Sequence, residues 1–397
     1  MAYDAIAQYT SLMQNNASFF LANITCSLAA KGTSCLICFA AKPHFSAKMW
    51  SIELTDLIPG LPAELGLECL TRLPYSAHPV ASRVCSPWRT LLESQEFYHH
   101  RKKIARTHKV ACLVQALPRK LVASESDVPK STESPSFGIT VFDPVSRSWD
   151  RLDPVPQYPN GMPLFCQLAS CEGKLVAIGG WDPVSYSPVT DVFVYDFTTS
   201  RWKKANDMPS KRSFFAIGSD AGRVYVAGGH DENKDALKSA WVYDVRLDEW
   251  TELTQMSQER DECQGVMIGS EFWVVSGYRT ESQGVFEAGA EVLELGSGRW
   301  RLEDEAWEAG HCPRHCVGVG EDGRLVSRGE LDSAVRVGTC GVILGGGTLV
   351  VGSEYQGSSQ GFYMAEETEG GQNGKLDRIS VPDEFSGFVQ SGCCVEI

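Results

Sequence analysis

The chain of 397 residues contains no run of 18 or more apolar residues, and neither half of it is basic. Without an apolar run of that length, no transmembrane helix is expected. The 36 Lys and Arg residues are outnumbered by 50 Asp and Glu residues, which gives a formal charge of −14. Because binding to phosphates needs clustered cations, this excess of acid argues against nucleic acid and membrane surfaces as partners.

Cysteine is thinly spread, with 14 residues along the whole chain, unlike the dense pattern of a disulfide scaffold. Reduced thiols, and therefore a cytoplasmic or nuclear location, are expected. Glycine and tryptophan are abundant, with 37 and 10 residues. Such a composition favours many short strands and tight turns over a helical bundle, in two or three domains or one large all-β domain.

Residues 1–48 differ from the rest of the chain because they contain a single acidic residue and no arginine. The first lysine is Lys31, so neither a secretory signal nor a transit peptide is predicted. A zinc set could be drawn from Cys26, Cys35, Cys38 and His44, but its spacing resembles no common zinc finger. We leave this segment unassigned and expect a disordered or mis-started extension, with Met49 as an alternative start.

A helical pattern occupies residues 57–98. The apolar residues of a first helix recur at three- and four-residue steps, as Leu65, Cys69, Leu70 and Leu73. Pro62 is tolerated in its first turn, and Pro74 ends it. The same spacing predicts a second helix over residues 77–92, with Val80, Val84, Trp88 and Leu91 on one face. About forty residues bury too little surface to be stable alone, so the apolar face implies a partner.

The order Leu-Pro-x-Glu-Leu, Cys-Leu-x-x-Leu-Pro and Val-Cys-x-x-Trp in this segment resembles an F-box. The resemblance implies docking on the Skp adaptor of a cullin–RING ubiquitin ligase. It further implies adaptor contacts or packing for Leu61, Pro62, Leu65, Cys69, Leu70, Val84 and Trp88. The alternative is a helical cap that packs on the following domain.

One departure from the F-box pattern is Ser86-Pro87, where the family usually has basic residues. A proline inside a helix costs about 3 kcal/mol and often kinks it. Weaker adaptor binding is therefore expected. The following residues, 99–109, are rich in His, Lys and Arg, and we interpret them as a solvated basic linker helix.

A repeat dominates the remainder of the chain. An apolar residue, an acidic residue, five further residues and a tryptophan recur four times, as Phe142-Asp143…Trp149, Tyr195-Asp196…Trp202, Tyr243-Asp244…Trp250 and Leu293-Glu294…Trp300. Apolar runs that end in glycine precede the last three copies. A period near 50 with strand-sized runs predicts one four-stranded propeller blade per repeat, with the tryptophans filling the space between blades.

The diglycine, the aromatic-Asp pair and the trailing Trp resemble the kelch repeat. We therefore predict a mainly β fold, in which a propeller of about six blades over residues 110–397 follows the small all-α F-box module. An open sheet edge is a liability, so the strand around 388–396 is expected to complete the first blade. Over residues 53–397 the chain is similar to a plant F-box/kelch group, the "kiss me deadly" proteins. That resemblance implies phenylalanine ammonia-lyase or cytokinin response regulators as targets for proteasomal degradation.

No set of residues predicts catalysis, and neither a metal nor another cofactor is expected. The segment His311-Cys312-Pro313-Arg314-His315-Cys316 has metal-binding residue types. Its place in the repeat, just ahead of a strand, explains it as a loop without metal.

Binding residues are expected in the loops that follow the glycine-ended strands. The candidates there are Trp181, Asp182, His230, Asp231, Tyr278 and Arg279. The recurrent Arg212, Arg260 and Arg314 could line one mouth of the propeller and receive an acidic or polar segment. Alternatively, these arginines pair with backbone or carboxylates. The sequence thus predicts a non-catalytic receptor that joins a Skp adaptor, and through it a cullin, to a target protein. The alternative function is a propeller enzyme or small-molecule binder.

Overall fold

The computed structural model describes residues 57–118, 136–313, 316–319, 325–327, 335, 337–366 and 376–397. The extension 1–48, Arg314 and His315 lie outside these residues. No helix in the described part of the chain is long and apolar enough to cross a membrane.

Within residues 57–108, four α-helices and a short 3-10 helix precede the first strand. They are α1 Ala63–Thr71, the 3-10 helix Tyr75–Ala77, α2 His78–Ala81, α3 Ser86–Leu92 and α4 Gln95–Lys103. Pro62 stands immediately before α1, and α1 ends ahead of Pro74, as predicted. Ser94 begins α4 by accepting a hydrogen bond from the backbone N–H of Phe97, which satisfies one of the free donors of the first turn.

The single helix predicted over residues 77–92 is wrong. The chain is divided there into α2 and α3, and Cys85 between them has an extended backbone with φ −156°. Pro87 consequently falls in the first turn of α3, where its missing N–H has no partner to lose. The expected kink is absent, so the physical reason for predicting weaker adaptor binding does not hold.

Twenty-two strands follow in the described part of residues 109–397. Their bounds are β1 Lys109–Ala116, β2 Phe137–Asp143, β3 Ser148–Arg151, β4 Gln167–Cys171, β5 Lys174–Ile178, β6 Val192–Asp196, β7 Arg201–Lys204, β8 Ala216–Asp220, β9 Arg223–Ala227, β10 Ala240–Asp244, β11 Glu249–Glu252, β12 Gln264–Ile268, β13 Glu271–Val275, β14 Ala290–Glu294, β15 Arg299–Glu303, β16 Cys316–Val319, β17 Leu325–Ser327, β18 Val337–Ile343, β19 Gly347–Ser353, β20 Gly361–Glu366, β21 Leu376–Arg378 and β22 Val389–Glu396.

These strands form five four-stranded sheets and one two-stranded sheet. From the inside outwards the sheets are β22-β1-β2-β3, β4-β5-β6-β7, β8-β9-β10-β11, β12-β13-β14-β15, β16-β17 and β18-β19-β20-β21. The innermost strands contact one another in a closed circuit, in the order β22, β4, β8, β12, β16, β18 and again β22. Sheets arranged radially around an axis define a β-propeller, which confirms the predicted mainly β architecture.

The repeat seen in the sequence has the same register in four sheets. Each apolar residue lies directly opposite its tryptophan across the two outer strands, as in Tyr195 opposite Trp202 and Tyr243 opposite Trp250. The acidic residue between them caps the turn, and Asp196, for example, accepts a hydrogen bond from the backbone N–H of Thr198 at 2.9 Å. The repeat is therefore a recurring outer hairpin.

Three of the four repeat tryptophans, Trp202, Trp250 and Trp300, also join their sheet to the one before it. The Nε1–H of Trp202 donates to the carbonyl of Asp153 at 2.7 Å, and that of Trp250 donates to the carbonyl of Asn206 at 3.0 Å. Apolar clusters fill the space between successive sheets, so the core is divided into wedges. The predicted structural role of the tryptophans is confirmed.

The predicted closure by the C-terminal strand is also confirmed. Strand β22 pairs antiparallel with β1 from Lys109 opposite Glu396 to Gln115 opposite Val389. The inner edge of the first sheet is thereby covered by the last strand of the chain.

The glycines that follow the second strand in three consecutive sheets, after β5, β9 and β13, are required by close contacts. Gly229 has φ +80°, and a Cβ at this position would collide with the carbonyl oxygen of Ser213 in the strand connection that precedes β8. Gly298 also has a positive φ, +67°, but nothing lies within 4 Å of the corresponding Cβ position.

We therefore predict that Gly229→Ala destabilises the fold far more than Gly298→Ala. In the control, Gly298→Ala, only the left-handed backbone conformation lowers the free energy of unfolding, by about 1–2 kcal/mol. In Gly229→Ala the collision of the added Cβ is a second cost, so the total loss should be at least about 3 kcal/mol. Urea unfolding of the two variants measures the difference. Equal losses would show that backbone conformation alone selects glycine at position 229.

Candidate binding faces of the helices and the propeller

The helices leave large apolar side chains exposed. Leu61 is 37% exposed, Leu65 53%, Val80 50% and Val84 58%. Leu65 and Cys69 are four residues apart on α1 and therefore share one side of it, and Cys69 is also exposed. Exposed apolar side chains grouped in so small a module indicate a surface that a partner covers.

Two of the residues that the F-box resemblance implicates pack within the helical module: Leu70, which was expected to face the adaptor, and Trp88, for which packing in the module was one of the implied roles. Leu70 is 1% exposed and packs inward, as Leu67 does, so it cannot contribute to an exposed face. Trp88 is partly buried, and its Nε1–H donates to the carbonyl of Leu57 at 2.5 Å. Trp88 thus ties the beginning of the module to α3, while Pro62 remains exposed.

The helices pack on one end of the propeller, which we call the hairpin face. This end carries the tight turns at residues 172–173 and 197–200. The ring of Tyr98 lies against Gly173, where any Cβ would collide with it. Thr198 donates its hydroxyl hydrogen to the carbonyl of Glu93 at 3.4 Å, and the ring of Tyr75 meets that of Phe197 edge-on.

The connections between second and third strands, and between successive sheets, emerge at the opposite end. We call this end the loop face, and in three consecutive sheets it comprises residues 179–191, 205–215, 228–239, 253–263 and 276–289. Antiparallel neighbours reverse direction at every strand, so these connections must lie away from the tight turns. Every target-binding candidate within the described residues therefore faces away from the helices.

The predicted basic linker helix is helical over its first five residues, but it is not fully solvated. Residues 99–103 belong to α4, and Arg101 is 3% exposed. Its guanidinium donates to the carbonyl of Arg106 at 2.9 Å. Burial lowers the pKa of Arg101 to about 10, so its positive charge remains at neutral pH.

A hydrogen-bonded chain links three successive sheets on the loop face. The Nε1–H of Trp181 donates to the hydroxyl of Ser213 at 2.7 Å. Ser213 is 2.9 Å from Nε2 of His230, and Nδ1 of His230 is 2.9 Å from the carboxylate of Asp261. Because an indole N–H can only donate, the hydroxyl of Ser213 accepts from Trp181, and it shares a second hydrogen bond with Nε2 of His230.

This set has the residue types and order of a serine nucleophile, its base and an orienting carboxylate. Ser213 is 0% exposed, however, and its hydroxyl already accepts from Trp181. The geometry therefore serves to join sheets and to hold Trp181 in place. The sequence did not reveal this chain, because its consecutive members are 17 to 32 residues apart and meet only through the repeat.

Partly exposed aromatic rings lie beside this chain, where the innermost strands begin. We call Phe165, Trp181 and Phe214 the mouth cluster; their ring centroids are 4.8 to 5.8 Å apart. Phe165 and Phe214 occupy equivalent positions in successive sheets, and Glu262 occupies that position in the next sheet. All three have left-handed backbones, with φ between +49° and +58°. Sequence reasoning missed them, although each stands two or three residues ahead of an innermost strand.

Of the recurrent arginines, the two within the described residues do not line a mouth. Arg212 and Arg260 are 0% and 1% exposed. Arg212 donates to the carbonyls of Gly228 and Ser239, both at 3.1 Å, and Arg260 makes the equivalent bonds to Ser276 and Gly289. Burial lowers the pKa of Arg212 to about 10, which leaves it charged. The alternative interpretation, pairing with backbone and carboxylates, describes both residues.

The other candidates mostly shape their own loops. Asp182 accepts hydrogen bonds from the backbone N–H groups of Val184 and Ser185, which lower its pKa. Asp231 caps its loop in the same way. Tyr278 is 6% exposed, with its hydroxyl donating to Glu262, and Arg279 pairs with Glu287 at 2.9 Å. Within the described residues, no group of three or more His, Cys, Asp or Glu side chains could hold a metal ion.

Comparison with known proteins agrees with both halves of this arrangement. Residues 58–100 match the F-box domain, and residues 162–209 and 211–257 match the Kelch motif. The chain therefore combines an F-box with a kelch propeller.

Three relatives from Arabidopsis thaliana carry the same combination. The F-box/kelch-repeat protein At1g15670 is 35% identical over 86% of this chain and 100% of its own length. At2g44130 is 40% identical over 64% of this chain and 66% of its own length, and At1g80440 is 39% identical over 67% and 75%. This chain belongs to the plant F-box/kelch-repeat proteins.

We predict that Arg212→Ala destabilises the propeller by about 3–5 kcal/mol, because buried carbonyls lose their charged partner. The control is Arg201→Ala at an exposed strand end, expected to change stability by no more than about 0.5 kcal/mol. Denaturant unfolding provides the measurement. Unchanged stability in Arg212→Ala would show that Arg212 does not support the fold, and it would again be a candidate for target contact.

A second prediction concerns His78, which packs beside Phe97 where the helices meet the propeller. Burial, and then the charge of Arg101, lowers the pKa of His78 to about 3. In the unfolded chain the pKa is 6.5, so below that pH the unfolded state takes up a proton that the folded state does not. The stability contributed by neutral His78 is therefore present above pH 6.5 and is lost as the pH falls towards 3.

Below the pKa of His78 in the unfolded chain, the free energy of unfolding should fall by about 1.4 kcal/mol per pH unit. His78→Phe should remove this part of the pH dependence, whereas His311→Gln, at an exposed position, should not. Unfolding free energies at several pH values between about 5 and 7.5 test this. Parallel pH profiles for wild type and His78→Phe would contradict it.

Proposed function

We propose that this protein is the substrate-recognition subunit of an SCF-type ubiquitin ligase. The observation that carries the proposal is the placement of two surfaces. The F-box helices expose Leu65 and Val84 while packing on the hairpin face, and the mouth cluster lies on the opposite loop face. One end of the molecule is thus free for a Skp-type adaptor, and through it a cullin, while the other end is free for a target protein.

In this proposal the protein forms and breaks no covalent bond. It raises the local concentration of a target lysine near the charged ubiquitin carrier, which is catalysis by proximity supplied to a partner enzyme. The resemblance to the "kiss me deadly" group favours phenylalanine ammonia-lyase or cytokinin response regulators as targets, in the cytoplasm or nucleus. Neither nucleic acid nor a membrane is a partner in this mechanism.

We further propose that β16 and β17 are the inner half of a sixth blade. The support is that β16 contacts β12 on one side and β18 on the other, so this sheet occupies its own place in the ring. An enzyme or small-molecule binder remains the alternative function, and the burial of Ser213 disfavours its hydrolytic form.

Co-purification with a Skp-type adaptor tests the proposed function. Leu65→Asp should weaken adaptor binding by more than about a hundredfold, because the complex would bury an unpaired charge. Since Leu65 is already exposed, the melting temperature should be unchanged. Val285→Asp, equally exposed but on the loop face, is the matched control and should bind the adaptor normally.

Full adaptor binding by Leu65→Asp would refute the docking surface. Failure of the wild-type chain to bind any Skp-type adaptor would refute the proposed function.

A further inference from the structure

The mouth cluster is a rigid apolar patch. Trp181 is held by its hydrogen bond to Ser213, which is in turn fixed by His230 and Asp261. The ring of Phe214 stacks on that of His230 with centroids 5.5 Å apart. Aromatic side chains that are fixed before binding lose little entropy in a complex, and such residues are frequent anchors at protein interfaces.

The surroundings of this patch are acidic. The loop-face segments 181–191, 206–214, 230–238, 257–262 and 278–289 contain eleven acidic and six basic residues. Four of the six cations already serve the propeller itself. Arg212 and Arg260 are buried on carbonyls, Lys211 pairs with Glu232 at 2.9 Å, and Arg279 pairs with Glu287.

Glu262 brings a negative charge to the position that aromatic rings occupy in the two preceding sheets. It is partly exposed, and its carboxylate accepts a hydrogen bond from the hydroxyl of Tyr278 at 3.1 Å. The mouth therefore changes from aromatic to anionic between β8 and β12.

Given the proposed receptor function, we propose that the mouth cluster binds a target segment in which an aromatic or large aliphatic side chain adjoins Lys or Arg. The apolar side chain packs on Phe165, Trp181 and Phe214. The cation faces Glu262 and the surrounding carboxylates, and aromatic faces attract it further. This reverses the sequence-based expectation of an acidic segment, which depended on Arg212 and Arg260 reaching the surface.

The full chain in complex with a Skp-type adaptor is tested against fluorescent synthetic peptides that differ only at a central residue pair. The pairs are Phe-Arg, Phe-Glu and Ser-Arg, and fluorescence anisotropy measures binding. We expect the Phe-Arg peptide to bind about tenfold more tightly than either of the others, since one loses charge complementarity and the other loses the anchor.

Substitutions in the mouth cluster and at Glu262 test whether these residues cause the preference for the Phe-Arg peptide. Glu262→Lys should abolish or invert the preference for Arg over Glu, while Asp220→Lys, the same charge change at the end of β8 on the hairpin face, should leave it intact. Phe214→Ala should reduce the affinity for Phe-Arg to that for Ser-Arg. Glu262→Gln replaces Glu262→Lys if the latter fails to fold, and should lose the preference without inverting it.

Equal or tighter binding of Phe-Glu, the absence of saturable binding by any peptide, or identical behaviour of Glu262→Lys and Asp220→Lys would each overturn the inference. The adaptor retained in the same samples is a separate readout. A failed peptide preference with adaptor still bound refutes this inference alone, whereas loss of the adaptor refutes the proposed function.

Discussion

The pairing of β22 with β1 is the contact on which the rest of the propeller depends. A radial array of sheets becomes a closed ring only when the first sheet has an innermost strand, and the chain supplies that strand at its far end. The same strand reaches the helices. Lys102 of α4 pairs with Glu396 at 3.0 Å, and the hydroxyl of Thr107 donates to the same carboxylate at 2.7 Å. Strand β22 therefore closes the ring and is also one of the contacts that hold the F-box helices on the propeller.

Within the ring, each repeated residue type has one structural role. The outer tryptophan reaches back to the preceding sheet, the acidic residue shapes the outer turn, and the buried arginine braces the connection ahead of the innermost strand. The hydrogen-bonded chain from Trp181 to Asp261 reaches forward to the following sheet. Adjacent sheets are thus joined at both their outer and inner ends, which leaves the loops between them free to differ.

Much of the fold could be predicted from the sequence because the copies of the repeat have the same internal spacing and each ends in tryptophan, a rare residue type. The period and the structural tryptophans follow from spacing, and the C-terminal closure follows from the liability of an open sheet edge. Side-chain direction does not follow from spacing, because a residue type at a repeat position says nothing about whether it points inward. Arg212 and Arg260 were expected at a surface for this reason, and Phe165 and Phe214 were overlooked. Pro87 was misjudged because the break at Cys85, which places it in a first turn, depends on tertiary packing rather than on local pattern.

The position of the helices on the hairpin face separates two kinds of change. The five-residue strands β4, β8 and β12 rise about 3.3 Å per residue, so roughly 17 Å of sheet stands between the tight turns and the loops. Insertions and substitutions in the loops are absorbed at an end that the helices never touch. Substitutions in the loops can therefore change which target is bound without changing the surface that contacts the ligase. Relatives that share one F-box surface can differ in the targets that they bind.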